Sequence, residues 1–163
     1  MRNLNRECLE KIEYCKKKNE QNKLIYQINI ENAKKGDEKA QYVIGYMYHK
    51  GKGVPKNYVK AADWYKKAAE HKNTKALNNL AYLYQKGKGV NKDIHKAEQL
   101  LLKSAKQGDD VACLNLGILY QTGKLGTANM EDAEYWYRKA MDKGNPTATR
   151  IYRRIQSMEQ KEN

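Results

Sequence analysis

A block of nine residues returns at an offset of 36 in this chain: Ala40 to Tyr48, then Ala76 to Tyr84, then Ala112 to Tyr120. Gly51, Gly87 and Gly123 keep the same offset, as do Ala61, Ala97 and Ala133, and Trp64, Leu100 and Trp136. No insertion breaks the register. A period in this range means that each unit is one supersecondary element that buries its apolar face only by stacking on its neighbours.

The punctuation within each unit says what that element is. Asp37, Asn73, Asp109 and Asn145 stand where a side-chain oxygen can accept an orphan N–H at the start of a first helix. Pro146 occupies the first helical position, where proline is tolerated. Gly51, Gly87 and Gly123 suit the left-handed residue that ends that helix. Asn57, Asp93 and Asn129 can cap a second helix, and Gly36, Gly108 and Gly144 can end one. Lys72 takes the glycine place once and is a local weakness. First helices are expected over 37–50, 73–86 and 109–122, and second helices over 57–71, 93–107 and 129–143. Composition agrees: 2 Pro and no Phe among 163 residues, with abundant Lys, Ala and Leu.

The expected architecture is all-α, a right-handed α-α solenoid of three 36-residue helical hairpins with flanking capping helices. It is read as a single domain, 1–163. Residues 1–35 form a degenerate half-repeat or cap, with a helix over 4–18 packed before one over 22–35. Residues 36–144 hold three full repeats, and 145–163 a C-terminal capping helix. There Arg153 falls where Gly45, Ala81 and Gly117 stood, so no close-packed second helix can follow. Small residues such as Ala40, Gly45, Ala61 and Ala68 let paired helices approach. Ile44, Met47, Tyr48, Trp64 and Tyr65 are assigned to the space between hairpins. Tyr48, Tyr84 and Tyr120 each need a partner for the hydroxyl if buried.

The pattern Ala40-x-x-x-Ile44-Gly45-x-Met47-Tyr48-x-x-Gly51-x-Gly53-Val54, followed by Ala61-Ala62-x-Trp64-Tyr65-x-x-Ala68-Ala69, resembles the Sel-one-like repeat. That repeat is a 36-residue relative of the tetratricopeptide repeat. The resemblance covers about residues 33–146. In the third unit Gly123-Lys124-Leu125-Gly126 departs from the Gly-Lys-Gly-Val of the others, which predicts a turn of different shape. The resemblance implies an adaptor or scaffold, in signalling, in bacterial host interaction or in toxin neutralisation. The family's disulfide-linked, secreted subgroup carries paired cysteines that this chain lacks.

Catalytic chemistry finds no support in the residues. His49, His71 and His95 have no Cys or His at ligand spacing, so no metal is expected. Asp37-Glu38, Asp109-Asp110 and Glu131-Asp132 all fall in first helical turns, where they complement the helix dipole. Gly51-Lys52-Gly53 and Gly87-Lys88-Gly89 lack the spacing of a phosphate loop and recur as turns. The chain is therefore read as a non-enzyme without a cofactor. Cys8, Cys15 and Cys113 have no metal spacing, and on one helix Cys8 and Cys15 are separated by about 10 Å of rise, too far for a disulfide. Reduced cysteines, no apolar segment long enough to span a membrane, and no apolar run after the charged first residues together predict a cytoplasmic protein.

Binding is placed on the face of the first helices not needed for the core. The candidate contacts are Tyr42, Tyr46, His49, Asn78, Asn79, Tyr82, Gln85, Leu114, Asn115, Ile118, Arg150 and Arg154. Tyrosines lead at one end, an apolar patch lies at the other, and the asparagines between can bind a peptide backbone. A second surface is the turn edge, with Lys50, Lys52, Lys56, Lys86, Lys88, Lys92 and Lys124, read as a solvated basic rim without stacking aromatics apart from Tyr58. The net charge of +13 favours an acidic partner. A monomer that binds another protein is expected, as a bacterial immunity or antitoxin protein against a toxin, or as a regulatory adaptor or host-directed effector. A basic nucleic-acid binder is the less favoured reading.

Overall fold

The computed structural model describes residues 2–162, and the side chains of residues 8–158. Among them there are eight helices and no strand: α1 (Arg2–Lys34), α2 (Glu38–Lys50), α3 (Tyr58–Glu70), α4 (Thr74–Lys86), α5 (Ile94–Ala105), α6 (Asp110–Gln121), α7 (Met130–Asp142) and α8 (Pro146–Glu162). The expected caps hold the starts. Asp37, Asn73, Asp109 and Asn145 accept from the N–H of Ala40, Ala76, Ala112 and Ala148, and Asn57, Asp93 and Asn129 from Lys60, Lys96 and Asp132. Each helix packs on the next in chain order, so α2–α3, α4–α5 and α6–α7 are hairpins stacked into an α-α solenoid.

Lys72 ends α3 at φ 63, the sole non-glycine with positive φ among the described residues. Its Cβ meets the strain that glycine avoids at Gly36, Gly108 and Gly144. Lys72→Gly is expected to stabilise the fold by about 1 kcal/mol, seen as a melting temperature raised by about 2–4 °C. A lowered melting temperature would show that the lysine's contacts outweigh its backbone strain.

Two glycine positions set how closely the helices meet. Within a hairpin, a Cβ on Gly45 would lie 2.7 Å from Tyr65 Cδ1, and one on Gly117 2.5 Å from Tyr137 Cε1. Tyr65 and Tyr137 are fully buried there. Tyr65, assigned from sequence to the space between hairpins, is thus inside its own hairpin, because Gly45 vacates room for the ring. Between hairpins, Gly53 and Gly89 at φ 71 and 69 press on the backbone of Asn22 and Tyr58 respectively. Asn22 and Tyr58 are one period apart, so the C-terminal half of α1 sits against α2 as α3 sits against α4. In the third unit Leu125 replaces that glycine and packs against the core, and Gly126 adopts φ 137, a different turn.

The N-terminal segment departs from expectation. Helices over 4–18 and 22–35 were expected as a packed pair; α1 is one helix of 33 residues. The reason is local: residues 2–35 contain neither glycine nor proline, so nothing reverses the chain. Ala33, Ile30 and Tyr26 pack with Ile44, Met47 and Val54, whereas residues 8–21 are exposed throughout. Two of the three tyrosine hydroxyls find partners, Tyr48 with the Tyr26 hydroxyl at 2.9 Å and Tyr120 donating to Glu98, whereas the ring of the buried Tyr84 lies under the Lys96 ammonium at 5.0 Å.

Candidate functional site

The first helices share one side of the solenoid and are joined directly. His49 of α2 stacks on Tyr82 of α4, with ring centres 5.8 Å apart and planes at 19°. Asn78 of α4 donates to Asp109, the cap of α6, at 2.9 Å. Asn145, the cap of α8, donates to Asp110 of α6 at 2.7 Å. Beyond neighbours in the chain, α2 and α4 also approach each other directly.

On that side the candidate residues divide into two groups. Tyr82 is 37% exposed, and Tyr46 is half-buried with its ring partly packed against the core. Asn115 and the half-buried Leu114 and Ile118 follow on α6, where Leu114 packs partly into the core, and Arg150 and Arg154 are exposed on α8. Tyr42 is half-buried, lies 6.0 Å from the Tyr65 ring at 30°, and hydrogen-bonds Asn79. Burial is the main cause of its raised pKa.

Two residues expected to contact a partner are turned inward instead. His49 is 8% exposed, its Nδ1 lies 3.2 Å from the Tyr65 hydroxyl, and its ring edge meets Tyr58 at 5.6 Å. Burial, then Lys50, Lys88 and Lys56, lowers its pKa, so the ring is neutral at pH 7. Its position is repeated by Gln121, whose Oε1 accepts from Tyr137 OH at 2.6 Å. His49 and Gln121 satisfy the hydroxyls of the two buried tyrosines that the glycines admit. Asn78 is the other: its amide donates to Asp109 and its Oδ1 is buried without a partner, so it latches α4 to α6 rather than reading a peptide backbone.

The turn-edge lysines, treated as a separate rim in sequence, meet the tyrosines. Lys50 and Lys52 lie 5.9 and 5.1 Å from the Tyr46 ring centre. Lys88 lies 5.3 Å from Tyr58 and 5.5 Å from Tyr82, and donates to the Tyr82 hydroxyl at 3.3 Å. Lys56 lies 5.8 Å from Tyr58. The expectation that the basic edge carries no stacking aromatic apart from Tyr58 is therefore corrected, since Tyr46 and Tyr82 join it. Repeat stacking brings residues 30 positions apart together, and only the Tyr46–Lys50 spacing of four, one helical turn, hinted at it in the sequence. The result is a basic, aromatic surface with the ammonium groups held over ring faces. No group of three or more His, Cys, Asp or Glu that could hold a metal occurs among the described residues.

Sel1 repeats match residues 38–73, 74–109 and 110–145 in unbroken succession. The chain belongs to the Sel1 repeat family. The Sel1 repeat is a protein-interaction module. A Sel1 repeat protein from Oxalobacter formigenes has a TM-score of 0.66 and 38% identity, over 72% of this chain and 47% of its own. The c5321 protein, a protective antigen present in uropathogenic Escherichia coli strains, has a TM-score of 0.72 and 31% identity, over 78% of this chain and 27% of its own. The chitin synthase regulator SKT5 of Saccharomyces cerevisiae is 40% identical over 53 residues, which are 32% of this chain and 8% of that protein. This Sel1 repeat chain thus spans less than half the length of each.

Proposed function

We propose that this chain is a non-catalytic binding module whose first-helix face takes an acidic segment of another protein. The observation that carries the reading is the cluster of Tyr46, Tyr58 and Tyr82 with Lys50, Lys52 and Lys88 across two repeats. Half-exposed tyrosines supply contact area at low entropic cost, and the ammonium groups draw in carboxylates. Nucleic acid fits less well. A base needs an open ring face, whereas Tyr46 and Tyr82 already carry ammonium groups at 5.1 and 5.5 Å. No helix among the described residues is long and apolar enough to cross a membrane. The free Cys8, Cys15 and Cys113 suit a reducing, cytoplasmic setting. Neutralising a toxin and serving as a regulatory adaptor both use such a surface.

The test is capture of the partner on immobilised protein, identification by mass spectrometry, and titration of the purified pair. Tyr46→Ala with Tyr82→Ala is expected to keep the helical content and weaken binding by about 2 kcal/mol or more. A captured toxin would select immunity, and a signalling protein the adaptor role. An unchanged dissociation constant would remove the first-helix face as the site.

A further inference from the structure

The repeat builds the lysine arrangement of the turn edge twice, and only the first is filled. In the first, His49, Lys50, Lys56, Tyr58 and Lys88 pack together, and each of the three ammonium groups lies over a tyrosine ring. One period on stand Gln85, Lys86, Lys92, Ile94 and Lys124. The rings of Tyr58 and Tyr82 are replaced by Ile94 and Ile118, and His49 by Gln85. What the aromatic stack occupies in the first copy is a hollow of about 440 Å³ in the second, lined by those five residues. No carboxylate lines it. Lys86, Lys92 and Lys124 have neither an ion pair nor a ring partner, and the Gln85 amide has no hydrogen bond.

Three like charges gathered round a hollow, with no internal counter-charge, repel one another and attract an anion. The hollow lies where α4 ends, one helical turn beyond Tyr82, and so continues the first-helix face. We propose that it is a carboxylate-binding site, which receives adjacent Asp or Glu side chains of an acidic protein segment. This rests on the protein-binding reading above and assigns its charged end. Ammonium groups act as point charges around the carboxylates. Gln85 supplies an amide donor, and Ile94 supplies an apolar wall for the side-chain methylenes.

The probe is a fluorescein-labelled peptide of ten glutamates, followed by anisotropy at pH 7 and low salt. The triple variant Lys86→Gln, Lys92→Gln, Lys124→Gln removes the hollow's charge. The triple Lys23→Gln, Lys103→Gln, Lys106→Gln removes the same charge from exposed residues of α1 and the α5 end. The first is expected to bind the peptide about tenfold more weakly, as the loss of three exposed ion pairs would give, and the second to lose less than about twofold. Equal losses would reduce the effect to net charge and overturn the site, and so would no loss in the first. A hollow dependence seen with a labelled ten-nucleotide single strand but not with the peptide would overturn it too. The Tyr46→Ala, Tyr82→Ala variant is titrated in parallel. If it alone loses the peptide, the face binds acid and the hollow does not.

Discussion

Gly89→Ala is expected to cost about 2–5 kcal/mol, the left-handed backbone taking about 1–2 and the overpacked contact about 1–3. At φ 69, a Cβ would lie 2.2 Å from the carbonyl carbon of Tyr58, 2.4 Å from its oxygen and 2.5 Å from the nitrogen of Val59. These are backbone atoms at the start of α3, where Asn57 caps the helix, so no rotamer change relieves the clash. The alanine must push the second hairpin away from the first. Because a solenoid gains its stability at such interfaces, the loss should appear as a lower melting temperature, by about 2–4 °C per kcal/mol. Gly144→Ala is the comparison, since it is at φ 84, close to Gly89, but has nothing within 4 Å of the added carbon. Equal melting temperatures for the two variants would show that the contact with Tyr58 does not matter.

Gly117→Leu is expected to destabilise the third hairpin by about 3 kcal/mol, near the upper end of ordinary overpacking. Even a bare Cβ would stand 2.5 and 2.6 Å from Tyr137 Cε1 and Cδ1. That ring is fully buried and its hydroxyl is held by Gln121, so it has no free direction to move. The second hairpin supplies the remedy. There Ala81 faces the buried Leu101 at the equivalent positions, a larger residue on one helix matched by a smaller one on its partner. Gly117→Ala alone should therefore be costly, and Gly117→Ala with Tyr137→Leu should recover much of the loss in urea unfolding. A double variant no more stable than Gly117→Ala would show that the glycine and tyrosine are not paired through volume.

Much of the fold was legible because it depends on residues close in sequence. A helix start needs a side-chain acceptor three residues before an N–H, and Asp37, Asn57, Asn73, Asp93, Asp109, Asn129 and Asn145 supply it locally. A helix stop needs a left-handed residue, and Gly51 and Gly87 supply it. The unbroken period then dictates that the hairpins stack. Where the period ends the reading weakened: residues 2–34 do not follow the 36-residue pattern and hold no glycine or proline to break the chain, and they continue as one helix.

The candidate face was only half legible, for a different reason. Periodicity tells which side of a helix a residue occupies, but not what a neighbouring unit lays over it. His49 lies on the side that the sequence indicated, yet Tyr65, Tyr58 and Tyr82 cover it. Lys88 reaches Tyr58 and Tyr82, one of them in another hairpin. The sequence by itself determined the helices within the repeat, from α2 to α8, with their caps and their period. Which tyrosines are buried, which lysines are matched and where a basic hollow is left open were decided by tertiary stacking. Those outcomes depend on distances between side chains about 30 residues apart, and such distances are set only when one hairpin rests on the next.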